Sequence, residues 1–163
     1  MSGSNTARAG LLLLASLCIP GGTTQAAVLS PFAAMAGSWS GGGVLNTTDG
    51  NQERLRCRAS YDVAGTGEAL RLNLRCASES YNFDLASEVE YRGGEISGQW
   101  SEASRNASGT ISGRAAGDRI EAAARGDNFS AGLSLTTRGN RQTVSIRPQG
   151  TNITEVSLEM ARR

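Results

Sequence analysis

The sequence predicts an all-β protein, an up-and-down antiparallel meander of about 8–10 strands that is closed or nearly closed into a barrel. First, apolar and polar residues alternate with the period of two that is typical of half-buried strands. Second, turns rich in Gly, Asp and Asn separate these stretches at regular intervals, with 21 Gly and only 3 Pro in 163 residues. Third, a flat meander of this size would leave exposed edges, which closure into a barrel removes.

Residues 1–27 have the layout of a secretory signal peptide. Arg8 precedes the apolar run 9–19, Pro20 breaks that run, and small residues follow up to Ala27. The run is shorter than the roughly 20 residues of a spanning helix. We therefore predict cleavage after Ala26 or Ala27 and a periplasmic or secreted product. Lipid attachment at Cys18 is a weaker alternative, because a bacterial lipobox requires a small residue where Leu17 stands.

The charged residues exclude several kinds of site. The chain has no His, which rules out a Ser-His-Asp triad and any zinc site that contains His. Removal of residues 1–27 leaves 15 Arg against 15 Asp plus Glu, so the mature net charge is zero. Because the mature chain has no net charge, we predict no nucleic-acid partner. No pair of carboxylates is singled out by its spacing, so we also predict no catalytic activity. We expect no cofactor and no metal site.

The strands begin with Trp39–Leu45, after a short N-terminal segment at 28–36 in which Ala33–Met35 could form one helical turn. The barrel domain is expected to span residues 37–161. The next two strands form a hairpin around Thr66 and Gly67, in which Cys57 falls opposite Cys76 on the apolar face. We predict a disulfide between these two cysteines in an exported chain, and a redox switch is the less favoured alternative. It would close a loop of about 20 residues and contribute roughly 3 kcal/mol.

The remaining apolar stretches follow the same alternation. They start at Tyr81, Ile96, Ile111, Ile120, Phe129, Val144 and Val156. Many positions on their apolar face are Ala, Gly or Ser, and the chain lacks a terminal aromatic residue. We therefore do not expect a barrel that spans a membrane.

Seven aromatic residues fall on predicted inward positions. If the small residues beside them leave the barrel centre unfilled, these rings line a cavity for a small apolar ligand or a lipid. The alternative is an ordinary hydrophobic core. The candidate cavity-lining residues are Trp39, Tyr61, Tyr81, Phe83, Tyr91, Trp100 and Phe129.

The outward face of the hairpin around Thr66 and Gly67 carries a stripe of arginines. A local positive patch of this kind can hold an anionic partner through guanidinium groups. The alternative is a solvated face that Asp84, Glu88 and Glu90 on the next strand balance. The candidate patch residues are Arg54, Arg56, Arg58 and Arg75, with Arg71 beside them.

The sequence Gly37-Ser38-Trp39 ahead of a β meander resembles the opening of lipocalin-like (calycin) barrels. This resemblance implies a Trp that packs across the closed end and an open end that holds a small apolar ligand. The early Gly-x-Trp and the Cys57/Cys76 pair are also similar to those of small periplasmic metalloprotease inhibitors, whose N-terminal segment, here 27–36, enters the protease. The chain has 16 Arg and no Lys, and this composition resembles that of uncharacterised exported alphaproteobacterial proteins.

These observations together predict a non-catalytic exported barrel that binds a small apolar or amphipathic molecule. The alternative is a module of the cell envelope that binds another protein, such as a periplasmic metalloprotease inhibitor.

Overall fold

The computed structural model describes residues 30–163. The predicted signal peptide at 1–27, and residues 28 and 29 of the predicted N-terminal segment, lie outside the described residues. Within this range, two short 3₁₀ helices span Pro31–Met35 and Ala103–Arg105. The ten strands are β1 Gly37–Thr47, β2 Gln52–Val63, β3 Ala69–Ala77, β4 Asn82–Arg92, β5 Glu95–Glu102, β6 Ala107–Ala116, β7 Arg119–Gly126, β8 Ser130–Arg138, β9 Arg141–Gln149 and β10 Ile153–Arg162.

The ten strands form a closed antiparallel barrel in which each strand pairs with the next one along the chain. β1 also pairs with β10, so that the sheet closes on itself, with a register shift at Asn46 and Thr47. This confirms the predicted all-β meander. The strands run from residue 37 to residue 162, next to the predicted domain limits of 37 and 161.

The register of the hairpin formed by β2 and β3 is the one that the alternation predicts. Cys57 is paired with Cys76, and Arg58 with Arg75. The two cysteines form a disulfide, with their Cα atoms 4.1 Å apart, and both are buried inside the barrel. The bridge therefore joins β2 to β3 at a point where the strands approach closely.

Glycines on inward positions allow neighbouring strands to bend toward each other. A Cβ on Gly43 would collide with the carbonyl oxygen of Ser157 in β10, and a Cβ on Gly109 with that of Arg125 in β7. Any larger residue at these positions would push the strands apart. Glycine is the residue expected at such bends in a barrel wall.

Candidate functional site

One end of the barrel is plugged by the N-terminal 3₁₀ helix, which contacts β2 and β8. Phe32 and Met35 of this helix are 1% and 2% exposed. The Ser30 hydroxyl donates to the Gly67 carbonyl in the turn between β2 and β3. Residues 30–36 therefore fold back onto the barrel end. We call the region of Phe32, Met35, Trp39, Tyr61 and Tyr91 the plugged end.

Three of the predicted aromatic residues belong to the plugged end. Trp39 is 1% exposed, its indole N–H donates to the Met35 carbonyl at 2.7 Å, and its ring lies edge-on to Tyr61. Tyr91 lies edge-on to Phe32 with ring centroids 6.1 Å apart. Edge-to-face pairs of this kind add to the free energy that burial supplies.

A buried chain of polar side chains crosses the barrel beside these rings. The Tyr61 hydroxyl donates to Oε1 of Gln142 at 2.7 Å, and Nε2 of Gln142 donates to the Thr137 hydroxyl at 3.1 Å. Burial raises the pKa of Tyr61 above its ordinary value, and the hydrogen bond to Gln142 opposes that rise only in part. Tyr61 therefore stays neutral and fixes the distance between β2 and β9.

The last strand holds the plug in place. The guanidinium of Arg162 donates to the carbonyl oxygens of Ala34 and Ala36, on the C-terminal side of the plug. The same group lies over the Trp39 ring, 4.6 Å from its centroid. A cation over an indole face is a favourable contact, so β10 joins the plug to the barrel wall.

The remaining four predicted aromatics lie near the opposite end of the barrel, which we call the far end. Tyr81 and Phe83 are half-buried and stack with an interplanar angle of 3°. Trp100 is buried, donates to the Thr110 carbonyl at 3.1 Å and lies edge-on to the half-buried Phe129. The seven predicted residues therefore form two groups, one at each end.

Loops cross part of the far end. Nδ2 of Asn152, between β9 and β10, donates to the Tyr81 hydroxyl at 2.8 Å, and the Thr48 N–H donates to the Asn152 carbonyl at 2.9 Å. Arg105 lies over the Phe83 ring at 4.8 Å and donates to the Asn82 carbonyl. An apolar ring pair at the far end is thus surrounded by amide, hydroxyl and guanidinium groups.

Glu102 is the buried carboxylate of the far end. It accepts hydrogen bonds from the N–H groups of Asp84 and Arg105 at 2.8 Å each, and from Ser104. Burial raises the pKa of Glu102, but these hydrogen bonds outweigh burial and leave the pKa below its usual value. Glu102 caps the 3₁₀ turn Ala103–Arg105. This carboxylate therefore holds the loop between β5 and β6 in place.

The barrel wall between the two ends carries large aliphatic side chains that point inward by the alternation of each strand. Inside a tightly filled barrel, such side chains would be fully buried. Here they keep accessible surface and are only half-buried. They are Leu72, Leu74, Leu85, Ile111, Leu133, Leu135, Val144 and Ile146.

These aliphatic side chains were not among the candidate cavity-lining residues predicted from the sequence, which were all aromatic. Their positions carry the same signal, the period-two alternation, that placed the aromatics inward. Extending the candidate lining to every inward residue of the middle strands would have included them. The half-buried aromatics Tyr81, Phe83 and Phe129 join them toward the far end.

The predicted arginine patch lies on the outer surface of β2 and β3. Arg71 pairs with Glu88 at 2.8 Å, and Arg75 pairs with Asp84 at 3.3 Å. Carboxylates on β4 therefore balance the charges of the two β3 arginines. This agrees with the alternative that the patch is a solvated surface. Arg54, Arg56 and Arg58 on β2 have no carboxylate within 4.0 Å among residues 30–163.

Residues 30–163 contain no group of three or more Cys, Asp or Glu side chains placed to hold a metal ion. No helix in this range has the length and apolar character needed to cross a membrane.

Comparison with solved structures places this architecture among known folds. The S-type phycobiliprotein lyase CPES from Guillardia theta aligns with a TM-score of 0.60 and 12% identity, over 81% of this chain and 90% of the lyase chain. The M. tuberculosis protein Rv2717c aligns with a TM-score of 0.64 and 12% identity, over 80% of this chain and 94% of that chain. The fold is that of a lipocalin-like barrel.

This assignment confirms the resemblance suggested by Gly37 and Trp39. No protein-family model and no curated protein sequence matches the chain. The likeness to solved structures therefore concerns the lipocalin-like fold alone. One neighbour is named a lyase, so this fold by itself does not exclude catalysis.

Proposed function

We propose that this lipocalin-like barrel binds a small apolar or amphipathic molecule in its interior, without catalysing a reaction. The observation that carries the proposal is the half-buried state of the large aliphatic side chains on the inner wall. Accessible apolar surface inside a closed barrel favours an apolar occupant, because burying that surface releases about 25 cal/mol per Å². Concave, mostly apolar sites with a few polar groups are typical of small-molecule binding.

The two ends of the barrel suggest how such a ligand would lie. The plugged end is packed by buried rings, so access would come from the far end. There the half-buried rings of Tyr81, Phe83 and Phe129 would contact the apolar part of the ligand. The Asn152 amide and the Arg105 guanidinium would lie near a polar group that remains toward solvent.

Binding without catalysis is supported by the state of the carboxylate at the far end. The carboxylate of Glu102 already accepts hydrogen bonds from two backbone N–H groups. The same hydrogen bonds hold its pKa low, whereas a general acid needs a raised pKa. The neighbour named a phycobiliprotein lyase shows only that a related barrel can carry an activity.

We propose in addition that the protein is exported and acts as a periplasmic or secreted carrier. The pattern of residues 1–27 predicts a signal peptide, and the Cys57–Cys76 disulfide fits an oxidising compartment. The inhibitor form of the alternative, a metalloprotease inhibitor, requires a protruding segment at 27–36. Residues 30–36 instead pack onto the plugged end, which supports interior binding over inhibition of that kind.

A pair of variants on one strand tests interior binding. Ile111 points inward and is half-buried, whereas the next residue, Ser112, points outward and is exposed. We expect Ile111→Trp to fill part of the interior and to weaken binding of 1-anilinonaphthalene-8-sulfonate by about tenfold or more. Ser112→Trp adds the same ring outside and should change the affinity less than about twofold. Fluorescence titration measures both affinities.

Two results would contradict interior binding. One is equal affinity of the probe for Ile111→Trp and Ser112→Trp. The other is the absence of saturable binding to the unmodified protein. Circular dichroism spectra that coincide for the three proteins ensure that a lost fold does not cause the difference.

A further inference from the structure

We propose that a groove on the outer wall of the barrel binds an acidic, extended segment of a partner protein. The groove has a volume of about 1260 Å³ and crosses the outer faces of β1, β2, β3 and β4. We call it the arginine groove. Its basic residues are Arg56, Arg58, Arg75 and Arg163. Its arginines lie on the outward face of the barrel wall, whereas Phe83, which also lines it, belongs to the far end.

The strand register brings these guanidinium groups close together. Arg58 lies directly opposite Arg75 on one side and opposite Ser40 on the other. Arg163 donates from Nε to the Ser40 hydroxyl at 2.7 Å, so it lies beside Arg58. Arg56 lies two residues before Arg58, on the same face of β2. Four positive side chains thus share a surface about three strand spacings wide.

Carboxylates do not balance this cluster. Among residues 30–163, eight arginines form ion pairs, but in the arginine groove only Arg75 does so, with Asp84. Residues 1–29 contain no Asp or Glu that could supply a partner. Gly42 of β1 lies between Arg56 of β2 and Glu159 of β10. Glu159 has no arginine within 4.0 Å among residues 30–163. The groove therefore carries excess positive charge, although Arg and Asp plus Glu are equal in number over residues 30–163.

Like charges directly opposite each other destabilise a pair of strands. Arg58 and Arg75 have this arrangement, and Arg56 adds a third charge on the same face. An anionic occupant would remove the repulsion and would form charge-assisted hydrogen bonds with the guanidinium forks. The arrangement therefore fits a surface that binds a negative partner.

The spacing of the arginines favours an extended acidic polypeptide. Arg54, beyond the groove, continues the row of Arg56 and Arg58 at intervals of about 6.8 Å, the repeat of alternate residues in an extended chain. A peptide with Asp or Glu at every second position matches that interval. A single phosphate could contact only part of the row. A flat membrane surface fits a concave groove poorly. Single-stranded nucleic acid is bound by stacking on exposed aromatic rings, and the outward positions of β2 and β3 carry none.

Fluorescence anisotropy with two labelled peptides tests the proposal. One peptide alternates Glu and Ser over five repeats, and the other has the same composition with the five Glu residues grouped together. At low ionic strength we expect the alternating peptide to bind more tightly. The double variant Arg56→Gln/Arg58→Gln should weaken its binding by about tenfold. The matched double variant Arg114→Gln/Arg119→Gln, on β6 and β7, should change binding less than about twofold.

The proposal would be overturned by equal affinity for the two peptides or by unchanged affinity in the groove variant. Phosphatidylglycerol vesicles and polygalacturonate are tested in parallel. Binding of either one that depends on Arg56 and Arg58, without binding of the alternating peptide, would also overturn it. The groove variant should fold at least as stably as the unmodified protein, because it removes repulsion between like charges.

Discussion

Replacing Trp39 with Ala is expected to lower the free energy of unfolding by about 4 kcal/mol, because a large buried ring leaves a cavity when it is removed. Trp39 is 1% exposed and contacts three parts of the plugged end. It donates to Met35, lies edge-on to Tyr61 and carries Arg162 over its face. For a domain of this size the melting temperature should fall by roughly 10 °C. Urea unfolding followed by circular dichroism measures the free energy directly.

Trp39→Phe is the matched control. It keeps most of the ring but loses the hydrogen bond to the Met35 carbonyl, so the expected cost is about 1–2 kcal/mol. A Trp39→Ala protein within about 1 kcal/mol of the unmodified protein would show that the N-terminal plug does not pack against the barrel. That result would remove the distinction between the plugged end and the far end.

Removing the disulfide is expected to have the second largest effect. The Cys57–Cys76 bridge has a sequence separation of 19 residues, and closing such a loop in the unfolded chain contributes about 3 kcal/mol. We expect Cys57→Ala/Cys76→Ala to lose about this amount in urea unfolding. The predicted cleavage removes Cys18 from both proteins, so that no third thiol can exchange.

Reduction provides the control for the disulfide prediction. Dithiothreitol should bring the stability of the protein with both cysteines close to that of the double variant, and it should leave the double variant unchanged. If the reductant had no effect on the protein with both cysteines, the bridge would be absent in solution. The register of β2 and β3 would then rest on the apolar alternation alone.

The fold could be predicted from sequence because its determinants are local. Alternation fixes which face of each strand is buried, and turn residues fix where each strand ends. In the hairpin of β2 and β3, the apolar pattern and the cysteine spacing agree on one register. The bulge near Thr47 could not be predicted, because it depends on how β1 meets β10 when the barrel closes.

The candidate site was predicted less completely. Alternation placed the seven aromatics inward but could not tell which end of the barrel the N-terminal segment covers. That contact buries Trp39, Tyr61 and Tyr91 and leaves Tyr81, Phe83 and Phe129 half-buried.

Two buried polar residues gave no signal in the sequence. Gln142 and Glu102 resemble residues at strand ends, and their burial depends on partners that are distant in the chain or in an adjacent loop. The arginine stripe, in contrast, followed directly from alternation. Its pairing followed only in part. Glu88 and Asp84 pair with Arg71 and Arg75 as expected. Among residues 30–163, however, Arg54, Arg56 and Arg58 have no carboxylate within 4.0 Å.

The interior of this barrel is proposed to hold a small molecule. Mass spectrometry of the protein purified from its own cells, under native and then denaturing conditions, shows directly whether it does. We predict a native mass that exceeds the polypeptide mass by that of a small molecule, with the excess lost on denaturation. A native mass equal to that of the bare polypeptide, in protein that also fails to take up an added apolar probe, would contradict the claim.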